Sequence, residues 1–190
     1  MIPRLSSLRA LGAPLACALL SLAAASCGGA DGGGASDASS VQHKLVGQAA
    51  PELGAEPVTG TGPTSIEAGK GKVLIVDFWA TFCKPCKKAF PRYQALVEKL
   101  GGDVAVVGVS IDEPGNVTKD DVAKFASDNH ARFAIVWDKD QSAARKYDLV
   151  SLGLPACFVV DKTGTVRHVH KGFKDGEEAT ITDEVKALLK

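Results

Sequence analysis

Cys83 and Cys86 are separated by two residues and stand between an apolar run, Val73-Leu74-Ile75-Val76-Asp77-Phe78-Trp79, and a stretch of helical spacing. That junction constrains the chain more than any other feature. A near-continuous apolar run is what a strand buried on both faces requires. After the second cysteine, Phe90, Tyr93, Val97 and Leu100 fall on one helical face, and Gly101-Gly102 ends it. Pro91 sits inside that pattern and predicts a kink. A buried strand therefore turns directly into a helix at a CxxC pair.

This placement has chemical consequences. A thiolate, not a thiol, attacks a disulfide. At the first turn of a helix, free backbone N–H groups and the helix dipole favour negative charge at Cys83. Cys86, three residues on, faces the same side. Pro85 suits an early helical position, where its missing N–H costs little. Lys84 adds a positive charge beside Cys83. The reading that follows makes Cys83 the attacking thiol and Cys86 the resolving one. The competing reading is half of a zinc site. Zinc takes four ligands, no second CxxC exists, and His168 and His170 lie about 80 residues away along the chain. No metal and no cofactor is expected.

The remaining pattern predicts an α/β domain. Val104 to Ser110 is a second buried strand. Thr118-Lys119-Asp120-Asp121 opens a capped helix. Phe133 to Trp137 is a short strand, and Asp140 to Tyr147 a short helix. Cys157 to Val160 is another apolar strand, and an Asp161–Gly164 turn returns the chain as a hairpin through Thr165 to His170. Asp175 is placed to cap a last helix with Ile181, Val185, Leu188 and Leu189 inward. Alternating strands and helices imply a central mixed sheet flanked by helices. The weakly patterned stretch 47–63 is read as an N-terminal β-hairpin extension.

The first 27 residues read as an export signal. Arg4 and Arg9 precede an apolar stretch rich in Ala and Leu, and Ala24-Ala25-Ser26 offers a small-residue cleavage site before Cys27. A cleavage site directly before Cys resembles a bacterial lipobox, with Ala24 where Leu is usual, so Cys27 is the expected lipid attachment point. Residues 28–44, with their Gly32-Gly33-Gly34 run, read as a flexible tether with a reach of roughly 20 Å. The domain is placed at 45–190. The formal net charge is zero, and no run of like charge points to nucleic acid. Cys17 falls in the signal, and three cysteines remain in the domain, an odd number that argues against a structural disulfide framework.

The stretch Val76-Asp77-Phe78-Trp79-Ala80-Thr81-Phe82-Cys83-Lys84-Pro85-Cys86-Lys87 resembles the active-site signature of thioredoxins. Pro91 matches the family's helix kink, and Gly153-Leu154-Pro155 its cis-proline loop. With the signal and the Val107–Asp112 strand, the whole is similar to the TlpA/ResA-type lipoprotein thiol–disulfide reductases. The resemblance implies a thioredoxin fold over 45–190. It implies a cis Pro155 against the CxxC, a buried Asp77 able to take the Cys86 proton, and Trp79 flanking and shielding the site. In thioredoxins a buried Lys on the next strand partners that Asp; here Gly108 takes the position. Cys157 departs from the family and is read as a buried, inert thiol. The implied activity is reduction of exported protein disulfides, in the manner of cytochrome c maturation. The implied protein is a monomer, lipid-anchored in the bacterial cell envelope, facing the periplasm and fed by a membrane thiol donor. A thiol peroxidase would need a Thr-xx-Cys setting with a Pro before it, whereas Thr81 stands two residues before Cys83. A copper-delivery protein would need His168 or His170 to approach Cys83.

Overall fold

A computed structural model describes residues 40–190. The signal stretch, Cys27 and most of the expected tether lie outside the described residues.

Six strands form one sheet in the order β1-β4-β3-β2-β5-β6. They are β1 (Glu56–Thr59), β2 (Val73–Trp79), β3 (Val104–Ser110), β4 (Ala134–Trp137), β5 (Ala156–Val160) and β6 (Val166–Lys171). The centre is parallel, β2 with β3 and β3 with β4, while β5 runs antiparallel to β2, β6 to β5 and β1 to β4. Every residue of β2, β3 and β5 is buried. The unbroken apolar runs reflect that: helices cover both faces, so no position needs to be polar. One face carries α2 (Cys86–Leu100), α3 (Lys119–Asp128) and α6 (Glu177–Leu189). The other carries α1 (Ile66–Gly69), α4 (Ser142–Lys146) and α5 (Leu149–Leu152).

The helix signals act largely as read. Gly101 closes α2 at φ 77°, its N–H bonded to the Val97 carbonyl, a conformation that carries no steric cost for glycine. Pro91 lies inside α2, which continues past it to Leu100. Thr118 and Asp121 make a reciprocal capping box on α3. Among the described residues no helix is long and apolar enough to cross a membrane.

Two readings are corrected. The hairpin expected over 47–63 does not form. That stretch holds the single strand β1, paired with β4 at one sheet edge, and α1 follows it. At the opposite edge the chain lies along β6 from residue 40. Ser40 bridges His170, the Val41 N–H donates to the Val169 carbonyl at 2.8 Å, and Gln48 and Val166 pair at 2.9 Å. These bonds protect an otherwise open edge. The short helix read over Asp140 to Tyr147 is α4, and Asp148 at φ 55° separates it from α5, a further turn that the sequence did not mark. Asp175 does not cap α6. Gly176 stands at the cap without a side-chain bond, and the carboxylate of Glu177 instead accepts from the Lys174 N–H at 2.8 Å.

Candidate active site

The carboxyl end of β2 and the amino end of β5 meet at one rim, because the two strands are adjacent and antiparallel. Cys83 and Cys86 leave the first, and Pro155 precedes the second. Crevices at the carboxyl ends of parallel strands are where α/β sheets bind their ligands. Cys83 and Cys86 are joined by a disulfide with 5.4 Å between their Cα atoms. Pro85 stands at the cap of α2, and the Cys86 N–H points at the Cys83 sulfur at 3.3 Å. A free helix N–H is thus aimed at the sulfur that must carry negative charge. Cys86 is fully buried and Cys83 nearly so, while Phe82 beside them is 75% exposed and Lys84 is exposed.

Asp112, unassigned in the sequence, fixes this loop. Its buried carboxylate accepts from the Thr81 N–H at 3.0 Å, the Thr81 hydroxyl at 2.7 Å and the Ser110 hydroxyl at 2.9 Å. Its carbonyl accepts from the Trp137 indole N–H at 2.7 Å. The Leu154–Pro155 peptide is cis, as the cis-proline pattern predicts, and the Pro155 carbonyl accepts from the Gly172 N–H at 2.8 Å. Trp79, read as flanking and shielding the site, lies in the buried cluster that also holds Cys83 and Cys86. It is fully buried, stacked on Phe125 with centroids 4.8 Å apart and edge-on to Phe90 at 5.0 Å.

Beneath the disulfide lies a row of polar side chains. Asp77 on β2 pairs in register with Gly108 on β3 and Cys157 on β5, and Cys157 pairs with His170 on β6. Directly opposed residues share a face at about 5 Å between Cβ atoms. Asp77, Cys157 and His170 therefore run across the sheet under α2 and α6. All three are buried. Neither Asp77 oxygen has a hydrogen-bond partner among the described residues; Tyr93 of α2 faces it without reaching bonding geometry. Burial pushes the Asp77 carboxyl well above its ordinary range; Tyr93 tempers the shift, and the charge of Glu177 adds to it. Burial, then the charge of Asp77, likewise raises the Cys157 thiol, which suits the inert role expected of it.

His170 sits between two carboxylates of α6, with Nε2 2.7 Å from Glu184 and Nδ1 3.4 Å from Glu177. Burial disfavours its charge, but the two carboxylates outweigh burial and lift it from 6.5 to about 9. The folded state thus holds this proton more tightly than the unfolded chain, so the stabilisation is complete below about pH 6.5 and is lost as pH rises towards 9. A urea titration should show stability falling by up to about 3 kcal/mol across that window. His170→Gln should flatten the fall; an equally steep decline in the variant would mean another group is responsible.

The model of the AhpC/TSA family matches residues 46–169, most of the described chain. The chain belongs to the AhpC/TSA family. Within this thioredoxin-like family it is 31% identical over 126 residues to the thioredoxin-like protein YneN of Bacillus subtilis, covering 66% of this chain and 71% of that one. It is 32% identical over 111 residues to the thiol–disulfide oxidoreductase ResA of Geobacillus kaustophilus, covering 57% of this chain and 60% of ResA. Among solved structures, a Chlorobium tepidum protein described as a thiol:disulfide interchange protein DsbE superposes with a TM-score of 0.64 at 27% identity, covering 76% of this chain and 98% of that one. The fold is thioredoxin-like, and this AhpC/TSA member is a thiol–disulfide oxidoreductase with Cys83–Cys86 as its CxxC pair.

Proposed function

We propose that the protein reduces disulfides of exported proteins. Cys83 attacks the substrate disulfide and Cys86 resolves the mixed disulfide, with Asp77 accepting the Cys86 proton. The observation that carries the direction is Asp77, a buried carboxyl on the face covered by α2, with no cation among the groups described around it. Burial that disfavours charge on this carboxyl disfavours a thiolate in the same layer, so the reduced pair is not favoured over the disulfide and is the better electron donor. Lys84 pulls the other way, but it is exposed and its charge is screened by solvent. The Pro155 carbonyl is already bonded to Gly172, so backbone pairing to a substrate segment falls to Leu154.

Residues 1–27 export the chain, lipidation of Cys27 holds it in the cell envelope facing the periplasm, and the stretch from 28 up to Ser40, where the chain docks on β6, supplies the tether. A membrane thiol donor returns the pair to its reduced form, and the domain acts as a monomer. Copper delivery has less support, because His168 and His170 are both engaged by Glu184, at 3.2 and 2.7 Å.

The reduction potential of the Cys83–Cys86 couple, measured against glutathione buffers, tests this reading. It is expected near that of thioredoxin, about −270 mV, and a value more positive than about −150 mV would make the protein an oxidase.

A further inference from the structure

The cluster around His170 stands two strands away from β2, which leads into the disulfide, yet the sheet register joins it to the buried carboxyl of Asp77. Asp77, Cys157 and His170 occupy one row on adjacent strands, and α6 brings Glu177 to both ends of it. Glu177 is near enough to Asp77 for their charges to interact, and it lies 3.4 Å from His170. The titratable groups facing Asp77 are Tyr93 from α2, Cys157 from β5 and Glu177 from α6. Those facing His170 are Glu177 and Glu184 from α6 and Cys157 from β5, with His168 sharing Glu184.

We propose that Glu177 and His170 are positioning residues for the resolving step: with Glu184 they form an ion cluster whose charge governs how readily Asp77 accepts the Cys86 proton. The inference rests on the reading of Asp77 as that acceptor. In the step, the Cys86 proton passes to Asp77, and the Cys86 sulfur attacks the Cys83 sulfur of the mixed disulfide. The Cys83–Cys86 bond forms, the Cys83–substrate bond breaks, and its electron pair leaves on the substrate sulfur. Asp77 ends neutral. An uncompensated carboxylate at Glu177 favours that neutral form, and the imidazolium of His170 opposes it by holding Glu177 in an ion pair. In this low-dielectric layer such charges act over one or two strand spacings with little screening.

The two residues therefore act with opposite sign, which a merely structural role would not produce. The test follows release of thionitrobenzoate from its mixed disulfide with Cys83 in stopped flow, across pH, with the full chain. Glu177→Gln should move the midpoint of the resolution rate down by about one pH unit, a tenfold change in the Asp77 equilibrium. His170→Gln, which leaves Glu177 and Glu184 uncompensated, should move it up by a similar amount. Glu184→Gln, near the surface, should move it down and serves where His170→Gln fails to fold. Shifts of the same sign in the Glu177 and His170 variants, or no shift in Glu177→Gln and Glu184→Gln, would overturn the inference. Asp77→Asn separates the two layers. If it keeps the wild-type profile, the reading of Asp77 as acceptor fails. If it abolishes the profile while the cluster variants leave it unmoved, only the present inference fails.

Discussion

Cys86→Ser is expected to stop turnover and to leave the protein covalently joined to its substrate. Cys83 would still attack, since the helix N–H aimed at its sulfur is a backbone group and survives the substitution. The mixed disulfide would then have no internal thiol to break it. Cys157 cannot replace Cys86, because it is buried on β5 in register with Asp77 and its thiol is held protonated. Insulin reduction should fall by at least about 10³-fold, the scale on which loss of a covalent catalytic residue acts. A species with the summed mass of protein and substrate should accumulate under non-reducing conditions. Cys83→Ser should lose activity to the same extent without that species, because the first attack never happens. If Cys86→Ser keeps wild-type turnover, the two-thiol mechanism is wrong. If Cys83→Ser traps substrate, the order of the two thiols is reversed.

The difference between the two cysteines was legible in the sequence, and so was most of the frame around them. The apolar runs at 73–79, 104–110 and 157–160 could only be strands buried on both faces, and the disulfide junction follows from the first of them. The position of Gly108 opposite Asp77 followed from the thioredoxin resemblance, and the β2–β3 register places it there. What could not be read depends on contacts between distant segments. Asp112 holds the Thr81 loop from 31 residues away, and nothing local separates it from any acidic residue at a strand end. Nothing local marked His170 as buried, because its partners come from α6. Its row with Cys157 and Asp77 exists only after three strands have paired. The stretch 47–63 has little pattern of its own because β1 borrows its order from the edge of β4. Asp175 has the chemistry of a cap, but the backbone turns at Gly176, Glu177 takes up the Lys174 N–H and Glu178 takes up that of Gly176.

Gly108→Lys tests the packing behind Asp77 most severely. The thioredoxin pattern that the sequence resembles places a lysine there as partner to the buried carboxyl. In this protein the space is filled. A Cβ at 108 would lie 2.9 Å from the Ile135 Cδ1, 3.1 Å from the Trp79 Nε1 and 3.3 Å from the Phe133 Cε2. The Ile135 methyl is the end of a flexible side chain and can move. The Trp79 indole cannot move freely, being held between Phe125 and Phe90. Gly108→Ala should therefore lose about 1–2 kcal/mol, since Ile135 can give way but the indole 3.1 Å from the new Cβ cannot, and the relief of backbone entropy offsets only part of that. Gly108→Lys must find room for four more heavy atoms and desolvate a charge, and should lose about 3 kcal/mol or more in urea denaturation despite the nearby Asp77. Combining it with Trp79→Ala should cost less than the sum of the two single losses, because the indole occupies the volume the lysine needs. A Gly108→Lys protein as stable as Gly108→Ala would show that the indole does not fill this site, and that Asp77 can take a cationic partner there.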